Sequence, residues 1–150
     1  GSATCEPVDD CTRPFPPSTA TLFVDASFQP MQLDATHVRT ISDALTRAAD
    51  GAVIAIKGGR YLERLRARTS VTLVGECAAR VSVVSTGDDL SGIRGAAGKT
   101  VRASGLTFSG HKVGAYVTEG TLILTDVVLS ENRELGAFVS GAGNRLELHH

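Results

Sequence analysis

From Ala52 onward, apolar and polar positions alternate with a period of two. In A52VIAIK, Ile54 and Ile56 point one way while Val53, Ala55 and Lys57 point the other, the signature of a half-buried strand. Gly58-Gly59 interrupts the alternation, and Y61LERLRAR resumes it with Leu65 and Ala67 set against Arg64, Arg66 and Arg68. V71TLVGE follows as a further strand. Upstream the period is different. In T40ISDALTRAADG, Ile41, Ala44, Leu45 and Ala48 form one stripe at helical spacing, with Thr40 as N-cap, Asp43 in the first turn and Gly51 suited to the C′ position. T21LFVDAS reads as the first strand and F28QPMQLDATHV as a loop.

The alternating segments recur. Gly92, Gly114 and Gly136 stand 22 residues apart in S91GIRG, V113GAYV and L135GAFV; V101RASGLTF and L122ILTDVVL lie between them, and L146ELHH follows. A period near 22 with several short strands per unit predicts a solenoid of about four coils. Stacking the units aligns Val71, Val101, Leu122 and Leu146 in one column and Leu73, Ala103, Leu124 and Leu148 in a second. Ile93, Ala115 and Ala137 then form a third, and Arg94, Tyr116 and Phe138 an outward one. One coil cannot bury its inward face alone, which is why the unit repeats. The Thr40–Asp50 helix is expected to cover the first coil. The last strand carries Leu146 and Leu148 with no cap after it. This predicts either the N-terminal piece of a longer solenoid or an end occupied by another subunit.

The succession T40ISDAL, G51AVIAIKGGRYLERL and V71TLVGE resembles the opening of right-handed parallel β-helix proteins of the pectin-lyase-like superfamily. Lys57-Gly58-Gly59-Arg60-Tyr61-Leu62-Glu63 is similar to their G-x-Y-x-E turn. The resemblance covers about residues 20–150. It implies an all-β, right-handed parallel β-helix with an N-terminal capping helix, preceded by a flexible tail over 1–19. It also implies a structural role for Glu63 as an acceptor of backbone hydrogen bonds at the turn. Bacterial surface β-helix proteins and, more distantly, pectin methylesterases begin this way. The paired aspartates of the esterases have no counterpart here. Asp126 aligns with Gly75 and Gly105 and reads as a turn residue.

Composition narrows the function further. The net charge of −1 provides no global field for nucleic acid or a membrane surface, and no apolar run reaches the length of a transmembrane helix. Gly1-Ser2 reads as a cloning scar. The proline-rich stretch after it suits a linker from an anchor or a preceding domain, so the expected location is secreted or cell-envelope, with lipid anchoring left open. Cys5 and Cys11 are the candidate disulfide, and Cys77 reads as a buried free thiol. The adjacent carboxylates Asp88-Asp89 are read as a solvated loop in preference to a calcium site. His37, His111, His149 and His150 have no ligand spacing, and neither a metal nor a cofactor is implied.

Two outward features remain as candidate ligand-binding residues. Arg64, Arg66 and Arg68, with Arg60 nearby, suit bidentate recognition of the carboxylates of an acidic polysaccharide. The alternative is a solvated face offset by Glu76 and other acids. Arg94, Tyr116 and Phe138 form a ladder on which a sugar or a partner could stack, or which only stabilises the coils. The leading expectation is a noncatalytic binding or scaffold module. Its rivals are the N-terminal part of a polysaccharide-active enzyme and a solenoid that self-associates through its uncapped coil.

Overall fold

The computed structural model describes Asp9, residues 11–87 and residues 89–150. In chain order the elements are β1 (Leu22–Val24), β2 (His37–Val38), α1 (Ile41–Arg47), β3 (Ala52–Ile56), β4 (Gly59–Leu62), β5 (Leu65–Arg66), β6 (Val71–Gly75) and β7 (Val81–Val84). They continue as β8 (Ser91–Arg94), β9 (Thr100–Ser104), β10 (Thr107–Ser109), β11 (Val113–Val117), β12 (Thr121–Thr125), β13 (Val128–Ser130), β14 (Leu135–Val139) and β15 (Arg145–His149).

These strands form three parallel sheets. The first runs β15-β12-β9-β6-β3-β1-β2, the second β13-β10-β7-β4, and the third β14-β11-β8-β5. Each coil contributes one strand to each sheet, so four complete coils stack and β15 opens a fifth. The protein is therefore an all-β parallel solenoid of coils near 22 residues, with one short α-helix among the described residues, close to its N-terminal side. Among the described residues no helix is long and apolar enough to cross a membrane.

Register explains the repeat. Val71, Val101, Leu122 and Leu146 pair in one column, and Leu73, Ala103, Leu124 and Leu148 in the next. Ile93, Ala115 and Ala137 pair across the third sheet. In the inner coils these side chains are almost wholly enclosed, each contributing about 1.5–3 kcal/mol when it is a fully buried Val, Leu or Ile. The spacing is not uniform. Leu65 and Ile93 pair at a separation of 28 residues because Ser85–Leu90 is inserted between β7 and β8.

α1 forms where the stripe predicts it, with the Thr40 hydroxyl accepting from the Asp43 N–H at 3.1 Å. It stops at Arg47, and Ala48 is already extended although still buried. Ile41, Ala44 and Leu45 join the core at the end of coil 1. Two expectations shift here. The loop over 28–38 contains β2, which pairs in parallel with β1. The segment 61–68 is also not one strand, because the chain turns a corner at Glu63-Arg64 and passes from the second sheet to the third.

That corner secures the helix. Tyr61 points inward, its hydroxyl donating to the Lys57 carbonyl at 2.8 Å, and burial pushes its phenol up to about 12. Glu63 accepts from the backbone N–H groups of Ile41 at 2.9 Å and Ser42 at 2.8 Å. The carboxylate does take backbone hydrogen bonds, but at the start of α1 and not at its own turn. The first N–H groups of a helix lack intrahelical acceptors and carry the positive end of its dipole, so a carboxylate there satisfies both. Asp126 occupies the left-handed region at φ 51°, beside Gly105 at φ 67°, as its turn position requires.

The cysteine pairing differs from expectation. Cys11 is bonded to Cys77, so neither the Cys5–Cys11 loop nor a free thiol at Cys77 describes Cys11 and Cys77, and Cys5 lies outside the described residues. Solenoid closure brings the turn after β6 beside the N-terminal segment, a proximity that sequence distance conceals. Asp9 reinforces the link by accepting from the Ala78 N–H at 3.2 Å. At the other end of the solenoid, Leu135, Val139 and Leu148 are exposed on the last coil.

Closing a loop with a separation of 66 residues removes much of the freedom of the unfolded chain. Replacing Cys11 and Cys77 together by serine is expected to lower the unfolding free energy by about 4 kcal/mol, read from urea midpoints at unchanged slope.

Candidate functional site

The outer face of the third sheet carries a concave groove of about 600 Å³, within the size range of ligand sites. Its cationic floor follows from strand alternation. Leu65 is enclosed and Ala67 packs on the core, so Arg64, Arg66 and Arg68 must point outward. Arg94, on β8, pairs in register with Arg66 and brings a fourth guanidinium to the same groove. Ser42 and Thr46 of α1 line the side toward the helix, while Thr118 and Glu119, following β11, line the opposite side.

Among the described residues, none of these four arginines forms an ion pair with a carboxylate. The acid expected to offset them is engaged elsewhere. Glu76 accepts from the Gly58 N–H at 2.8 Å and pairs with Lys57 and Arg80. The Gly58 hydrogen bond, aided by Lys57 and Arg80, holds the Glu76 carboxyl below the usual range despite the opposing effect of burial. Arg60 does not join the groove, because β4 belongs to the second sheet, where Arg60 pairs with Ser82.

The outward column is formed as expected, with Tyr116 in register with both Arg94 and Phe138. The Tyr116 and Phe138 rings stack at 5.3 Å and 15°, and the Arg94 guanidinium lies 5.1 Å from the Tyr116 centroid. Near-parallel rings at this distance are offset-stacked. Phe138 belongs to the following coil and Arg94 to the preceding one, so both faces of Tyr116 are occupied. The ladder presents ring edges outward and holds Arg94 in place by cation–π contact. Tyr116 thus positions a charge and offers no free face for a sugar.

A polar cluster in the interior escapes the sequence reading. Asp89, expected in a solvated loop, is only 4% exposed, and His111 is fully enclosed. The His111 ring contacts Asp89 Oδ1 through Nδ1 at 3.3 Å and the Val83 carbonyl through Nε2 at 3.1 Å. Ser85 donates its hydroxyl to the same carboxylate at 2.5 Å, and the Thr86 N–H donates at 3.0 Å. Burial by itself would raise the Asp89 pKa. The hydrogen bonds from Ser85 and Thr86, with His111, outweigh burial and hold the carboxyl below its usual range. A usable signal was present, since Asp89 and His111 are separated by the repeat period of 22 and therefore stack. The other half of the acid pair, Asp88, lies outside the described residues.

This cluster contains a serine, a histidine and an aspartate without the order that nucleophilic catalysis needs. The serine hydroxyl faces the aspartate, and the histidine nitrogen that would serve as base is turned to a carbonyl. It anchors the Ser85–Leu90 insertion to coil 3. Among the described residues, no three His, Cys, Asp or Glu side chains gather in a way that could hold a metal ion.

Asp89→Asn is expected to destabilise the fold by about 1–3 kcal/mol, as for buried hydrogen-bonding groups left unsatisfied. The folded carboxyl is shifted downward, so its contribution is present above the unfolded value near 4 and is lost as pH falls through the folded value. Urea titrations below about pH 4 should show this acid dependence in the parent chain and a weaker one in the variant.

The chain was compared with protein-family models, curated proteins and solved structures, and none of them matches it.

Proposed function

We propose that this solenoid is a noncatalytic binding module and that its arginine groove takes an acidic polysaccharide. The observation that carries the reading is the convergence of Arg64, Arg66, Arg68 and Arg94 on one concave surface without a carboxylate partner among the described residues. Guanidinium groups recognise carboxylates through paired N–H donors, and an unpaired cluster has no internal anion to displace. A groove suits an extended polymer better than a flat lipid surface. The Cys11–Cys77 bond suits an oxidising compartment, which favours a secreted or envelope location.

A second reading, self-association, draws on Leu135, Val139 and Leu148, which are exposed among the described residues. Sedimentation velocity over a range of concentrations separates the two, since a monomer throughout would count against association.

Calorimetric titration should give heat with polygalacturonate and none with a neutral glucan. Raising the salt concentration should weaken the interaction, because exposed charges are screened. Arg64→Ala should reduce the affinity by roughly tenfold, the scale of one lost charge-assisted contact. Equal binding of both polymers, or no heat with either, would refute the assignment.

A further inference from the structure

The groove contains an internal conflict that indicates how a ligand would lie in it. Arg66 and Arg94 are direct register partners on adjacent parallel strands, which brings their backbones to within about 5 Å. Like charges placed directly opposite one another on a sheet destabilise it. Among the described residues neither guanidinium has a carboxylate partner to offset the repulsion, while Tyr116 holds Arg94 in place. A single anion between the two guanidinium groups would remove the repulsion and gain hydrogen bonds from both.

The remaining charges set a direction. Arg64 stands at the corner before β5, Arg66 on β5 and Arg68 just after it, so the three line the groove one after another across the solenoid axis. The axial route is less favourable. Beyond Arg94 it meets the ring edges of Tyr116 and Phe138, and Glu119 lies on that side of the groove with a carboxylate that repels an anionic chain. Three cations following one another along the coil outweigh two followed by an acid.

Building on the polysaccharide reading, we propose that Arg66 and Arg94 clamp one carboxylate as the primary subsite, and that Arg64 and Arg68 take its neighbours. The polyuronate chain then lies along β5, across the stack of coils. The row holds three charges, so affinity rises until three carboxylates are present and then levels off.

The test is calorimetry at low salt with galacturonate and its dimer, trimer and tetramer, on the parent chain, Arg66→Gln and Arg64→Gln, with ligand-free melting of each. The expected affinities rise from monomer to trimer and are flat to tetramer. Arg66→Gln should lose about tenfold or more at every length, including the monomer. Arg64→Gln should weaken the monomer much less than Arg66→Gln does and lose part of the gain from added rings. Arg66→Gln should melt at the parent temperature or above it, since it removes a repulsion. Full binding by Arg66→Gln, a steady rise beyond the trimer, or a lower melting temperature for Arg66→Gln would overturn the crosswise clamp while leaving polyuronate binding intact. No binding of any length, or of the polymer, to the parent chain would overturn both.

Discussion

Parallel, in-register stacking is the constraint on which the rest of this molecule depends. Each coil places its residues above the corresponding residues of the coil before it, about 4.8 Å away. Inside, that rule produces columns of Val, Leu, Ile and Ala that close over one another, as Val71, Val101 and Leu122 do. Outside, the same rule sets ring on ring at Tyr116 and Phe138, and cation beside cation at Arg66 and Arg94. The core and the candidate site are two consequences of one geometry.

Polar groups enter the interior only where every partner is supplied. Asp89 and His111 share a contact across coils, and the hydroxyl and backbone of the insertion satisfy the rest of the carboxylate. Asn132 serves the next junction, accepting from the His111 N–H and donating to the Phe108 carbonyl. Asn144 links Gly120 and Thr118 in the same manner. Among the described residues no enclosed side-chain nitrogen or oxygen lacks a partner. Gly92 accommodates this arrangement, since a Cβ there would stand 2.7 Å from the Gly114 carbonyl and 3.0 Å from the His111 ring. Overlap at that range forces neighbours to move.

The N-terminal side is tied down by contacts distant in sequence. Glu63 reaches back to the first N–H groups of α1, and Cys77 holds Cys11. Both attach segments outside the repeat to its first two coils, where a solenoid otherwise exposes an apolar end.

Much of the architecture is determined locally and is legible in the sequence. The period of two in A52VIAIK, the recurrence of glycine at 22 residues and the stripe from Ile41 to Ala48 specify strands, coils and cap, because alternation and period reflect which side chains face a common core. Alternation likewise determines that Arg64, Arg66 and Arg68 share a face. Tertiary structure decided what distance in the chain conceals. It paired Cys11 with Cys77, turned Glu63 toward α1, buried Asp89 against His111, and occupied both faces of Tyr116. It also brought Arg94 beside Arg66 across an insertion that shifts their spacing to 28 residues. The physical reason is the same in each case: local patterns specify which way a side chain points, and only closure of the coils specifies what it meets.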